Sequence, residues 1–225
     1  MKYFSLLFSL LFAAALVSCG DDDDANGGPN GNGGGGTGGG TEETETPTKS
    51  DLFLEATLGG QAYSFTGEDG NFLFMNSAFG GDGACQLDYG AWFRDNFGSG
   101  LESFRVHIVH YTDSDGCDDS GYFQSVFSPG PQEVYSYNVT NSSGAFILYD
   151  TPQGITYSTA FADNSDLNLV IEEIVELPND FDPAAFGTQF IGLKGTFSGM
   201  LYTSTFSDSL QVSDGSFFMA LNSSE

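Results

Sequence analysis

The chain has 225 residues, with 31 Asp or Glu against 5 Lys or Arg, a formal net charge of −26 and a pI near 4.1. A surface this acidic repels phosphate backbones and anionic headgroups, which argues against nucleic acid and against an electrostatic membrane partner. The 22 phenylalanines and 31 glycines supply apolar area for one sizeable core and the means to break it into many turns, whereas tryptophan occurs once, at Trp92.

Lys2 is followed by an apolar run from Tyr3 to Val17. At fifteen residues it is shorter than the roughly 20 that span a bilayer, so residues 1–18 read as a signal peptide rather than a permanent helix. Leu16-Val17-Ser18-Cys19 resembles a bacterial lipobox. The resemblance implies cleavage before Cys19 and acylation of its thiol, which makes Cys19 the lipid anchor to the membrane and not a nucleophile. Each buried CH₂ adds about 0.8 kcal/mol, and two or three chains hold a protein stably where one does not. Asp21, Asp22, Asp23 and Asp24 resemble the acidic tract that sends lipoproteins of Bacteroidota-type bacteria to the exterior face of the outer membrane. In enterobacteria an aspartate two places after the cysteine implies inner-membrane retention instead, and a solvated acidic tail is the plainest alternative. Residues 19–50, rich in Gly and Asp, have almost nothing apolar to bury; they predict a disordered tether with an average reach of about 30 Å.

Residues 51–225 are enough for a single folded domain. With Cys19 lipidated, Cys85 and Cys117 are left, and an exported chain is expected to join them in a disulfide, two reduced core thiols being the alternative. The pattern from here on is strand after strand. Segment 52–58 turns at Gly59-Gly60 into 61–65, a two-residue hairpin signal. Further strands are expected at 72–79, 85–93, 103–111, 133–139, 145–149 and 155–161. Segment 167–177 has apolar residues that also fit a helical face, but four of the five that do (Val170, Ile171, Ile174 and Val175) are β-branched, which favours a strand. Expected strands at 190–202, 210–212 and 217–221 close the chain, with one short helical turn possible at 183–186. Many short strands without a long helix predict an all-β fold: an antiparallel β-sandwich or jelly-roll-like domain of about ten strands.

Gly195-Thr196-Phe197-Ser198-Gly199 and Val212-Ser213-Asp214-Gly215-Ser216-Phe217 look like the closing hairpin of small Bacteroidota lipoproteins of unknown function. There a similar pair ends a β-sandwich that follows a lipobox and a glycine-rich tether. The resemblance covers the signal, the tether and the last strands. It brings no catalytic residues.

No Gly-x-Ser-x-Gly elbow, HExxH or P-loop pattern occurs, and no catalytic constellation is found, so the chain is not expected to be an enzyme. His107 and His110 lie three apart on one expected strand and so point to opposite faces, where they cannot share a metal ion. His110 is expected to face the core and His107 the solvent. Glu172, Glu173 and Glu176 qualify as a carboxylate pair for glycan hydrolysis only because acids are so frequent. Asp113, Asp115, Asp118 and Asp119, closely spaced around Gly116, supply oxygens of the kind Ca²⁺ takes, though no EF-hand glutamate follows; a polar loop is the alternative.

Sugars stack on exposed rings and hydrogen-bond through their hydroxyls. Tyr89 and Trp92 beside Arg94 form one candidate platform, and Tyr135 with Tyr137 a second, with core positions as the alternative. The expected function is a non-catalytic binding module for a glycan or an envelope partner protein. A structural or accessory subunit without a small-molecule site, and a carboxylate-dependent glycan hydrolase, are the alternatives.

Overall fold

The computed structural model of the chain describes residues 46–68, 71–81, 84–94, 102–113, 123–139, 141–162, 166–184 and 189–223. Cys19, the four aspartates after it and the glycine-rich tract lie outside the described residues. Among the described residues of the unit Thr44–Glu225, a 3₁₀ turn at Lys49–Asp51 precedes eleven strands. They are β1 (Phe53–Leu58), β2 (Gln61–Thr66), β3 (Phe72–Gly81), β4 (Ala84–Arg94), β5 (Ser103–Thr112), β6 (Gly130–Pro131), β7 (Gly144–Asp150), β8 (Thr156–Ser158), β9 (Asn168–Glu176), β10 (Phe190–Tyr202) and β11 (Ser209–Asn222). All pair antiparallel, in the order β2-β1-β11-β10-β8-β7-β5-β4-β3, with β9 on β10 and β6 on β9.

The sheet curls into two leaves. β10 is the hinge between them: from Ile191 to Ser198 it pairs with β9, and at Tyr202 it pairs with Ser158 of β8. One leaf is then β2-β1-β11-β10-β9-β6 and the other β8-β7-β5-β4-β3. Their inner faces meet in one aromatic core, with ring centroids 5.4 Å apart for Phe74 and Phe190, 5.6 Å for Phe104 and Phe197 and 5.8 Å for Tyr63 and Tyr149.

The alternation of side chains along a strand decides what enters this core. On β4 the inner row is Cys85, Leu87, Tyr89, Ala91 and Phe93, all buried, while Gln86, Asp88, Trp92 and Arg94 take the outer face. The first hairpin turns at Gly59 and Gly60, both with positive φ, as a type I′ turn requires. The segment with two possible periods, 167–177, is strand β9, and its β-branched residues line up against β10.

The closing pair of motifs is the β10–β11 ladder itself, with Gly195 opposite Phe217 and Phe197 opposite Gly215. A Cβ on Gly215 would lie 2.6 Å from the Phe197 ring, and one on Gly195 2.7 Å from that of Phe217. Each glycine thus gives its cross-strand phenylalanine room to lie over the backbone.

Several expectations need correction. Residues 133–139 are not a strand: Val134 makes one parallel bridge to Ala145, and the chain then turns. The segment runs beside the start of β7, which the three-residue β8 is too short to cover. Segments 210–212 and 217–221 are one continuous strand, because a bulge absorbs the glycine-containing stretch between them. β6 carried no periodic signal in its two residues, Gly130 and Pro131. At 183–184 the chain makes a turn, and the remainder of that expected helical turn lies outside the described residues.

Candidate functional site

The outer face of β3, β4, β5 and β7 is where four of the five candidate ligand residues come together. Pairing puts Trp92 between Leu73 of β3 and Arg105 of β5, and puts Gly90 between Met75 and His107. The guanidinium groups of Arg94 and Arg105 lie 5.7 and 5.6 Å from the Trp92 ring centroid, so the two arginines of the chain flank its one tryptophan. Arg105 is held by an ion pair with Asp150, which also accepts from Ser103 Oγ at 3.0 Å and Thr156 Oγ1 at 2.6 Å.

Next to the tryptophan lies an aromatic patch. The His107 ring stacks on Phe146 at 4.5 Å and 7°. Tyr135 and Tyr137 pack on the same Phe146 at 5.3 and 5.5 Å and meet each other edge to face. Tyr135 is buried, whereas Tyr137 remains 52% exposed. Burial, reinforced by the nearby Asp88 charge, pushes the Tyr137 phenol above its ordinary pKa, so it stays a neutral hydroxyl.

His107 corrects the expectation of an exposed histidine: it is on the outer face, as the spacing required, but only 4% exposed. The cause is non-local, since Tyr135 and Phe146 form a second small cluster over that face with Val109, Leu148 and Ala160. Gly90 makes the position possible, because a Cβ there would sit 2.8 Å from His107 Nδ1. Nδ1 lies 2.8 Å from Asp88 Oδ1. A carboxylate oxygen only accepts, so Nδ1 carries the proton. Nε2, like Trp92 Nε1, is buried with no hydrogen-bond partner among the described residues. His110 is on the core-side face, opposite Leu87 of β4 near the C-terminal end of β5, half-buried, with its pKa lowered by desolvation.

Leu73, Met75, Ser77, Asp88, Trp92 and His107 line a hollow of about 400 Å³ on this face. That is within the range of small-ligand sites. Tyr89, the fifth candidate, points the other way: it is 1% exposed, in the core against Phe123 and Phe127. Its odd-numbered place on β4 commits it to the inner row, where no ligand reaches it.

The remaining candidates lie elsewhere. Asp113 follows β5 and accepts the Tyr111 hydroxyl, which raises that phenol's pKa. Asp115, Asp118, Asp119 and Cys117 lie outside the described residues. Cys85 opens the inner row of β4 and is buried. Among the described residues no group of three or more His, Cys, Asp or Glu is placed to hold a metal ion, and no helix is long and apolar enough to cross a membrane. Glu172 and Glu173 are on β9, where Thr196 Oγ1 and Lys194 Nζ donate to them at 3.4 and 2.8 Å.

The fold and this face define an all-β sandwich with a polar, aromatic outer surface and a shallow hollow in it. No family model, no curated protein and no solved structure matches the chain.

Proposed function

We propose that the protein is a lipoprotein of the outer membrane, anchored through Cys19 and carried to the cell exterior by the tract Asp21–Asp24, whose sandwich is a non-catalytic binding module for a glycan. One observation carries the binding reading: the only tryptophan lines one hollow on the outer face, and both arginines flank its ring. Aromatic rings supply stacking area for the apolar face of a sugar, and Asp88, Ser77 and the guanidinium groups supply hydrogen bonds for its hydroxyls. Retention on immobilised neutral and acidic polysaccharides tests it, comparing the wild type with Trp92→Ala and Tyr137→Ala. Wild-type retention that both variants lose supports the reading; silence on every polysaccharide removes the glycan.

An envelope protein is the second reading. It is favoured by β3, ten residues long, whose outer edge pairs with no other strand among the described residues. Such an edge can take up a partner's strand. One stoichiometric protein captured from intact cells, with no glycan bound, would replace the first reading by this one.

The address rests on the lipobox. Cys19→Ala should release the protein from the membrane fraction, and protease added to intact cells should remove the wild type. An exported chain also suits a Cys85–Cys117 disulfide, which a thiol count under denaturing conditions checks: two free thiols in the mature protein exclude it. If Asp113, Asp115, Asp118 and Asp119 hold Ca²⁺, EDTA lowers the melting temperature; an unchanged value removes the metal.

A further inference from the structure

The β1–β2 turn, the residue before β5, the β7–β8 turn and the β10–β11 loop meet at one end of the sandwich. They enclose a cleft of about 410 Å³ whose walls include Gln61, Tyr63, Glu102, Tyr149, Gln153 and Tyr157. This is a different place from the outer face: the half-buried Tyr63 and the buried Tyr149 and Tyr157 belong to the inner faces of β2, β7 and β8. β1 runs from Phe53 to Leu58, five rises of about 3.3 Å or about 17 Å, and its last residue lines this end.

Three features give it the character of a built site. The tyrosine rings are fixed: Tyr149 Oη donates to Glu102 Oε1 and Tyr157 Oη to Asp208 Oδ2, both at 2.6 Å, and Tyr63 meets Tyr149 edge to face. Both phenols are pushed above their ordinary pKa, Tyr149 chiefly by burial and Tyr157 chiefly by its carboxylate partner, so both hydrogen bonds persist across the physiological range. The side chains of Gln61 and Gln153 are exposed, with no partner among the described residues, and an amide both donates and accepts. No Lys, Arg or His lines the walls among the described residues, so in a chain of charge −26 nothing there offsets the repulsion of an anion. At the same end, Ile155 is 46% and Phe206 58% exposed, the latter held at φ +55 in the loop that supplies Asp208. A bulky residue at positive φ is strained, and such strain concentrates where side chains are presented to ligands.

We infer that this cleft is a second ligand site, for a neutral saccharide, in which the half-buried Tyr63 ring, backed by the buried Tyr149 and Tyr157, takes the sugar's apolar face and Gln61 and Gln153 read its hydroxyls. An anionic sugar meets the Glu102 carboxylate there and no basic group among the described residues.

Trp92 is the chain's single tryptophan and lies on the outer face, so its fluorescence separates this site from that one. The experiment is calorimetric titration of the mature chain with cellotetraose, maltotetraose, laminaritetraose and mannotetraose, and with a tetragalacturonate as the anionic probe. Tryptophan emission is followed in parallel, and the Gln61→Ala/Gln153→Ala double variant is titrated beside the wild type after its melting temperature is matched to it. The expected result is saturable binding of at least one neutral tetraose, weakened tenfold or more in the double variant, with Trp92 emission unchanged and tetragalacturonate excluded. No binding by any neutral probe overturns the inference, as does a preference for tetragalacturonate. Binding that shifts Trp92 emission and ignores the double substitution belongs to the outer face: the inference falls and the proposed function stands.

Discussion

β4 and β5 show the same two strands doing two different jobs on their two faces. Inward, Leu87, Tyr89, Ala91, Phe93, Phe104, Val106 and Ile108 are apolar or aromatic and buried in one cluster spanning both leaves. Outward, Asp88, Gly90, Trp92, Arg94, Arg105 and His107 are mostly polar, and their spacing is tuned to one another by a glycine, an ion pair and a stacked ring. The inner face is specified by volume and apolarity, which many residues satisfy. The outer face is specified by particular contacts, which few do, and that difference sets it apart from an ordinary wet surface.

Substitutions can break or sharpen this contrast. The largest effect should fall on the inner face: Phe93→Ala or Phe104→Ala, each fully buried, should cost about 3–5 kcal/mol in denaturant unfolding. Gly90→Val should follow, at about 1–3 kcal/mol, because its Cβ meets His107 Nδ1 at 2.8 Å with the imidazole pinned on Phe146. A loss well below 1 kcal/mol there would mean that His107 moves freely and that the outer face is not a fixed arrangement.

Two carboxylates near the ends of the sandwich should contribute to its acid sensitivity. Asp51 is held below its ordinary pKa of 3.8 by the Thr48 backbone N–H and hydroxyl, and Asp208 by the Tyr157 hydroxyl and the Ser209 N–H. Because these values are depressed in the folded state, the stability they contribute is present above the ordinary pKa and is lost as pH falls through the folded values. Melting temperature should therefore decline below about pH 4, and Thr48→Ala or Tyr157→Phe should make that decline shallower. An equally steep decline in both variants would move the acid sensitivity away from the ends. The smallest effect should be that of Lys194→Ala: the Lys194–Glu173 pair at 2.8 Å is open to solvent on both sides, so the change in unfolding free energy should stay within about 1 kcal/mol.

Much of the fold was legible from local pattern. Hairpin glycines, β-branched runs and two-residue alternation located most of the strands, including β9, because each of these signals acts within one strand or one turn. Residues 133–139 failed for the same reason: their alternating Val, Tyr, Tyr and Val look like a strand, yet pairing partners depend on how far β8 extends, which is set elsewhere. The site was legible in part. Trp92, Arg94, Tyr135 and Tyr137 stood out by residue type, but Tyr89 did not betray that its parity with Phe93 placed it in the core. Tyr63, Tyr149 and Tyr157 were hidden as ordinary strand tyrosines.

The sequence by itself determined the all-β class, the alternation that assigns each side chain to one face, the acidity, and the N-terminal motif on which the membrane reading rests. Only the tertiary structure decided which face is covered by what. His107 is buried because Tyr135 and Phe146, 28 and 39 positions further along, fold over it. Three tyrosines from three strands share a cleft because the curled sheet brings its ends together. Local physics sets the direction in which a side chain leaves its strand; what it meets there depends on loop closure and packing across the whole chain, and no short stretch encodes that.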